Sequence, residues 1–86
     1  MSTPSTPSCL DRLGAQQMAR VVRVNAQGSA LPLARQLEEI GFIPGERVQM
    51  LSKALFGGDP MVVRVGVSTF ALRKAEAQLI EIDTEH

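Results

Sequence analysis

Leu37-Glu38-Glu39-Ile40-Gly41-Phe42-Ile43-Pro44-Gly45 is the stretch that decides how the rest of the chain is read. It contains the end of a helix, the helix stop and the turn that sends the chain back. Upstream, Leu33, Leu37 and Ile40 follow the i, i+4, i+7 spacing of one apolar helix stripe, with Arg35, Gln36, Glu38 and Glu39 covering the other sides. Ser29 is a helix N-cap residue type. Pro32 falls in the first turn, where its missing N–H has no helical partner to lose. The spacing therefore predicts one helix over residues 30–40. Gly41 offers the left-handed conformation that ends helices, and Phe42 the apolar residue that folds back after it. Pro44-Gly45 fits the two central positions of a type II turn, the second of which needs positive φ.

On both sides of this helix the apolar period shortens to that of strands. Met18-Ala19-Arg20-Val21-Val22-Arg23-Val24-Asn25 is β-branched, and its alternation is imperfect. Met18, Val22 and Val24 fall on one face with Arg20, while Val21 lies opposite beside Arg23; a bulge, or a barrel strand covered partly on both sides, would reconcile the two. Further on, Val48, Met50 and Ala54 alternate with Arg47, Gln49 and Lys53, and Leu51 interrupts the polar face. Gly57-Gly58-Asp59-Pro60 is a reversal signal. Met61, Val63, Val65 and Val67 are expected inward, around an outward Arg64. Phe70-Ala71-Leu72 makes a brief strand, and residues 73–77 a helical turn. A last strand over residues 79–83 turns Ile80 and Ile82 inward. Near the start, Ser8 is expected to cap a short turn over residues 9–13.

Four or five short strands around one helix imply a mainly β fold, a small closed or half-closed barrel, because closure removes unpaired edges. Residues 1–8 carry two prolines and no apolar period and are expected to be a disordered tail. Residues 9–83 are expected to form the barrel domain, and residues 84–86 a C-terminal tail.

Composition narrows the function. The 86 residues are 44% hydrophobic but include only three Phe and no Trp or Tyr, so the core is aliphatic and shallow. Nine basic and nine acidic residues cancel. That leaves no basic excess to release counterions from phosphates, and nucleic acid is not expected as a partner. The one cysteine cannot form an intrachain disulfide. No run approaches the ~20 apolar residues of a membrane span, so direct membrane insertion is not expected. Residues 1–8 lack the basic and apolar regions of a secretory signal, which points to a cytoplasmic chain.

Reactive constellations are missing. His86 is the last residue, where packing cannot hold a general base, and Cys9 has no histidine partner in an ordered segment. Gly57-Gly58 is followed by neither the lysine nor the hydroxyl of a phosphate-binding loop. No enzyme activity and no cofactor are expected. Glu81, Asp83 and Glu85 alternate onto one outward face, near His86. They would bind a divalent metal weakly, join a neighbouring molecule's ligands across an interface, or simply form a solvated acidic edge. Contact with another macromolecule is the remaining option. Its candidate residues are Ile43 in the turn after the helix, Leu51 on a polar strand face, and Leu55 and Phe56 beside a glycine loop. Arg35, Glu38 and Glu39 on the outer helix face would form the charged rim.

Taken in order, the opening stretch, Gly58-Asp59-Pro60, and Phe70-Ala71-Leu72-Arg73 with Glu76-Ala77 and Ile80 resemble the FeoA family, small cytosolic accessory proteins of bacterial ferrous-iron uptake. The likeness runs from Cys9 to Ile82. It departs in Leu55-Phe56-Gly57-Gly58, where family members more often carry a shorter stretch with an extra proline. The resemblance implies an SH3-like β-barrel with one inserted helix. It also implies docking on the cytosolic, GTP-binding part of FeoB, the membrane iron transporter, which would recruit the chain to the inner face of the membrane. The same fold closes repressors of the DtxR type, so the alternative function is a metal-responsive regulatory or dimerisation domain. A second copy of the chain is a further candidate partner, through the Phe56 loop. Proline-peptide binding of the SH3 kind is not expected, because that groove is lined by aromatic residues.

Overall fold

Residues 7–25, 28–54, 57 and 59–84 are described by a computed structural model of the chain. In order they form β1 (Pro7–Cys9), a 3-10 turn (Leu10–Arg12), β2 (Met18–Val24), a second 3-10 turn (Gly28–Ala30) and α1 (Leu31–Glu39). β3 (Arg47–Lys53), β4 (Met61–Val65), β5 (Ser68–Leu72), α2 (Lys74–Ala77) and β6 (Ile80–Thr84) follow. The strands make one antiparallel sheet in the order β1-β6-β2-β3-β4-β5. The fold is mainly β with one inserted helix, as the residue pattern implied. The ladder stops at β1 and β5, so the sheet is open. α2, which follows β5, packs on the 3-10 turn that follows β1, with no hydrogen-bonded pairing between the two edge strands.

The opening stretch folds as its residues dictate. α1 agrees with the predicted helix to within a residue at each end, but Ala30 rather than Ser29 takes the N-cap, without a side-chain hydrogen bond. Ala34 and Leu37 are buried, and Leu33 and Ile40 pack half-buried against the core. Gly41 sits at φ +127°, and the Gly41 and Phe42 N–H groups donate to the Glu38 and Leu37 carbonyls, both at 3.1 Å. Phe42 is then driven into the core, fully buried among Leu10, Leu37, Met50, Met61, Ile80 and Ile82. Gly45 at φ +91° completes the turn, which the Glu46 N–H closes onto the Ile43 carbonyl at 3.1 Å.

Four expectations need correction. In β2 it is Ala19 and Val21 that are buried, whereas Met18 and Arg20 are exposed. Of the two explanations for the broken alternation the structure has the bulge, which lies between Val21 and Arg23, so the first half of the strand keeps the opposite phase. Val67 is fully exposed rather than inward, because β4 ends at Val65 and Val67 occupies the β4–β5 turn with Gly66. Pro7 and Ser8 are not tail residues: they pair in β1 with Asp83 and Ile82. Thr84 likewise belongs to β6, opposite Ala19. The rest of both expected tails lies outside the described residues. A second bulge, between Met50 and Ser52, leaves Leu51 as the extra residue of β3, which is why Leu51 breaks the polar alternation.

Candidate functional site

The acidic strand comes first, since it carries the metal candidates. β6 lies between β1 and β2, so Glu81 and Asp83 stand on a sheet face and not at an acidic edge. Cross-strand register sets Arg23 opposite Glu81, and the guanidinium forks onto the carboxylate: Nε to Oε2 at 3.1 Å, Nη2 to Oε1 at 3.4 Å. A metal ion at Glu81 would have to displace this arginine. Asp83 stands opposite Arg20 in register and keeps one carboxylate oxygen buried without a hydrogen-bond partner. Among the described residues, no three His, Cys, Asp or Glu side chains gather as a metal-binding group. Glu85 and His86 lie outside the described residues. Cys9 is a free, half-buried thiol in β1, opposite Glu81.

A half-open cleft of about 340 Å³ is lined by Asp11, Arg12, Lys53, Gly57, Met61 and Lys74. The Lys53 Nζ donates to the Asp11 carbonyl at 2.8 Å, tying β3 to the first 3-10 turn. The Lys74 N–H donates to Asp59 Oδ1 at 2.9 Å and anchors the start of α2. These bonds hold the loops at the β5 end of the sheet. Sequence reasoning missed the cleft because its residues come from separate segments with no shared spacing. Nothing short of the topology could have gathered them.

The predicted contact residues divide. Arg35, Glu38 and Glu39 are exposed on α1, and Ile43 is 44% exposed in the turn that follows. Leu51 is half-buried at its bulge, where its carbonyl accepts from Gln16 Nε2 at 2.9 Å. Leu55 and Phe56 lie outside the described residues. One residue joins the set that the sequence did not nominate. The Gly66 N–H meets the Arg47 carbonyl at 3.4 Å, which sets the turn bearing exposed Val67 beside the one bearing Ile43. Phe42 is buried and Phe70 half-buried, their ring centroids 6.4 Å apart at 52°. The described surface therefore presents no aromatic-lined groove. No helix among the described residues is long and apolar enough to cross a membrane.

The comparisons bear on this geometry directly. The FeoA domain model matches residues 9–84. The crystal structure of Stenotrophomonas maltophilia FeoA complexed with zinc is 39% identical, with a TM-score of 0.79 over 87% of this chain and 88% of that one. It is described as a prokaryotic SH3 domain protein and put forward as a bacterial ferrous iron transport activating factor. Iron(II) transport protein A from Clostridium thermocellum is 37% identical, with a TM-score of 0.76 over 88% of this chain and 44% of that one. The T. acidophilum IdeR structure shares the fold at 19% identity, with a TM-score of 0.75 over 99% of this chain and 37% of that one. No curated protein gives a sequence match. With the match extending across both the helix stop and strands β2 to β6, the chain belongs to the FeoA family and carries its SH3-like fold.

Proposed function

We propose that this chain is a non-enzymatic accessory protein of ferrous-iron uptake that acts by docking on the cytosolic part of a FeoB-type transporter. The observation that carries this reading is the family match over residues 9–84, joined to 39% identity with a FeoA put forward as a transport activating factor. The surface chemistry agrees with a contact function. Ile43 and Val67 offer apolar area on adjoining turns, and Glu38 and Glu39 stand exposed at the end of α1. An apolar centre with a charged rim is the common anatomy of a protein interface. On this reading the chain is cytoplasmic, and nucleotide and iron are handled by the transporter. The alternative, a metal-responsive domain, draws on a fold shared with repressors at 19–20% identity and on nothing in the acidic strand.

Biolayer interferometry against the isolated cytosolic domain of the transporter from the same cell tests the proposal. Binding at a Kd of about 10 µM or tighter is expected, and Ile43→Asp should weaken it at least about tenfold, a change of ~1.4 kcal/mol. Absence of binding at about 100 µM to an intact, nucleotide-competent partner would refute docking.

A further inference from the structure

The two edges of the sheet are not alike. β1 has three residues, begins with a proline and is a poor template for further pairing. β5 reads Ser68-Thr69-Phe70-Ala71-Leu72, with no charge, no proline and no bulge along its five residues. Native sheets usually blunt an exposed edge with one of those devices. Here it is left plain.

Register shows which main-chain groups remain open. Val65 and Ser68 flank the two-residue turn Gly66-Val67, with Gly66 at φ +59°. The pair that closes such a hairpin exchanges hydrogen bonds, and bonded and non-bonded pairs then alternate. Ser68, Phe70 and Leu72 thus turn their N–H and C=O groups to β4, while Thr69 and Ala71 turn theirs outward. The opposite side of β4 confirms the parity. The Ala54 N–H bonds the Pro60 carbonyl at 3.1 Å, and the alternation carries through Val62 to Arg64, which face β3. Beyond Leu72 the edge is closed off, because the Arg73 N–H is capped by Glu76 Oε1 at 2.7 Å. The Arg73 carbonyl is taken by the N–H groups of Glu76 and Ala77.

We propose that β5 is a self-pairing edge, through which two copies of this chain form a two-fold dimer with one continuous sheet. A two-fold axis at Phe70 sets Thr69 against Ala71 of the second copy and Ala71 against its Thr69. All four residues carry outward main-chain groups, so this register makes four N–H···O=C bonds and wastes none. The side chains suit the same register. Thr69 and Ala71 are small and exposed, so identical strands meet without like charges opposed. Phe70 is half-buried against Phe42 and lies on the axis in a non-hydrogen-bonded pair, the closer kind, where its ring covers that of its copy. A partner strand bearing charge would lose this fit, which makes a second copy the favoured occupant. An interface of one short strand falls below the ~1,600 Å² of stable complexes, so the dimer is a weak one.

Sedimentation equilibrium on the full chain, from about 10 µM to about 1 mM, should show monomer passing to dimer. Thr69→Glu is the informative variant. In the monomer the new carboxylate faces Arg64 across the β4–β5 register, which supports the fold, while in the dimer two such carboxylates approach near the axis. Its dimerisation constant should weaken at least about tenfold, with the melting temperature unchanged or raised. Amide exchange on the unaltered protein gives an independent readout: protection of the Thr69 and Ala71 N–H groups should rise with concentration. A chain that stays monomeric to about 1 mM overturns the proposal. So does a dimer indifferent to Thr69→Glu, or one without concentration-dependent protection at Thr69 and Ala71.

Discussion

Phe42 and Ile43 are neighbours in sequence and opposites in environment, which allows a sharp test of both fold and function. Phe42 is fully buried; Ile43 is 44% exposed on the next residue of the same turn. Phe42→Ala removes a ring packed inside the sheet, and such truncations cost about 3–5 kcal/mol. The ring pair with Phe70 at 6.4 Å adds roughly 0.5–1.5 kcal/mol within that loss. A domain of this length is stable by roughly 4–13 kcal/mol, so Phe42→Ala should remove about a quarter of the total or more. Ile43→Ala removes a side chain that is already nearly half exposed and should cost about 1 kcal/mol or less. Urea unfolding followed by circular dichroism reads both, with the slope m checked for constancy. The same pair should separate in the opposite sense in transporter binding, where Ile43→Ala weakens capture and a folded Phe42→Leu does not. Equal stability losses at the two positions would mean that the chain path after α1 is wrong, and with it the docking face.

Three smaller tests follow from the same packing. Leu37→Ala should cost about 2–5 kcal/mol by opening a cavity under α1, seen as a fall in melting temperature; a wild-type melt would show that the helix stripe does not face the core. Gly41→Val should cost about 1 kcal/mol or more through the backbone alone, since φ is +127° while a Cβ would meet Val65 at an ordinary 3.7 Å. Arg23→Ala should change stability by about 1 kcal/mol or less in denaturant titration, because the Arg23 side chain is 64% exposed and its pair with Glu81 is solvent-screened.

What could be read from the residues was whatever depends on short-range chemistry. The helix, Gly41, the buried Phe42 and the Pro44-Gly45 turn are each fixed within a few residues by period and by φ preference, and all are found in the structure. The phase of β2 was not legible, because a bulge shifts register at a place set by the partner strand β6, not by β2 itself. Val67 misled for a related reason. It continues the alternation of Met61, Val63 and Val65, yet the strand ends at Val65 when Gly66 turns the chain. The place of β6 inside the sheet was equally hidden, since sheet order is a long-range property. That place changes the meaning of Glu81 from an open carboxylate to the partner of an arginine.

The fold is shared more widely than the surface features that would let it hold a proline peptide or a metal ion. A sheet of this order supports proline-peptide recognition when aromatic rings line one surface groove. Here Phe42 has been drawn into the core and Phe70 leans on it, so the described rings are used to hold the sheet together. Metal sensing, in turn, needs several ligands free to converge. The register instead commits Glu81 to Arg23 before any ion arrives. Among the described residues, apolar area on two adjoining turns and one uncharged strand edge remain available, and on the two proposals above both would act by meeting another protein chain. The two are distinguishable in one respect that fixes the order of experiments. The Ile43 surface should respond to a foreign partner, whereas the β5 edge should respond to the chain's own concentration. If Thr69→Glu weakened capture by the transporter as strongly as Ile43→Asp, the edge would be part of the docking face and the two-surface account would fall.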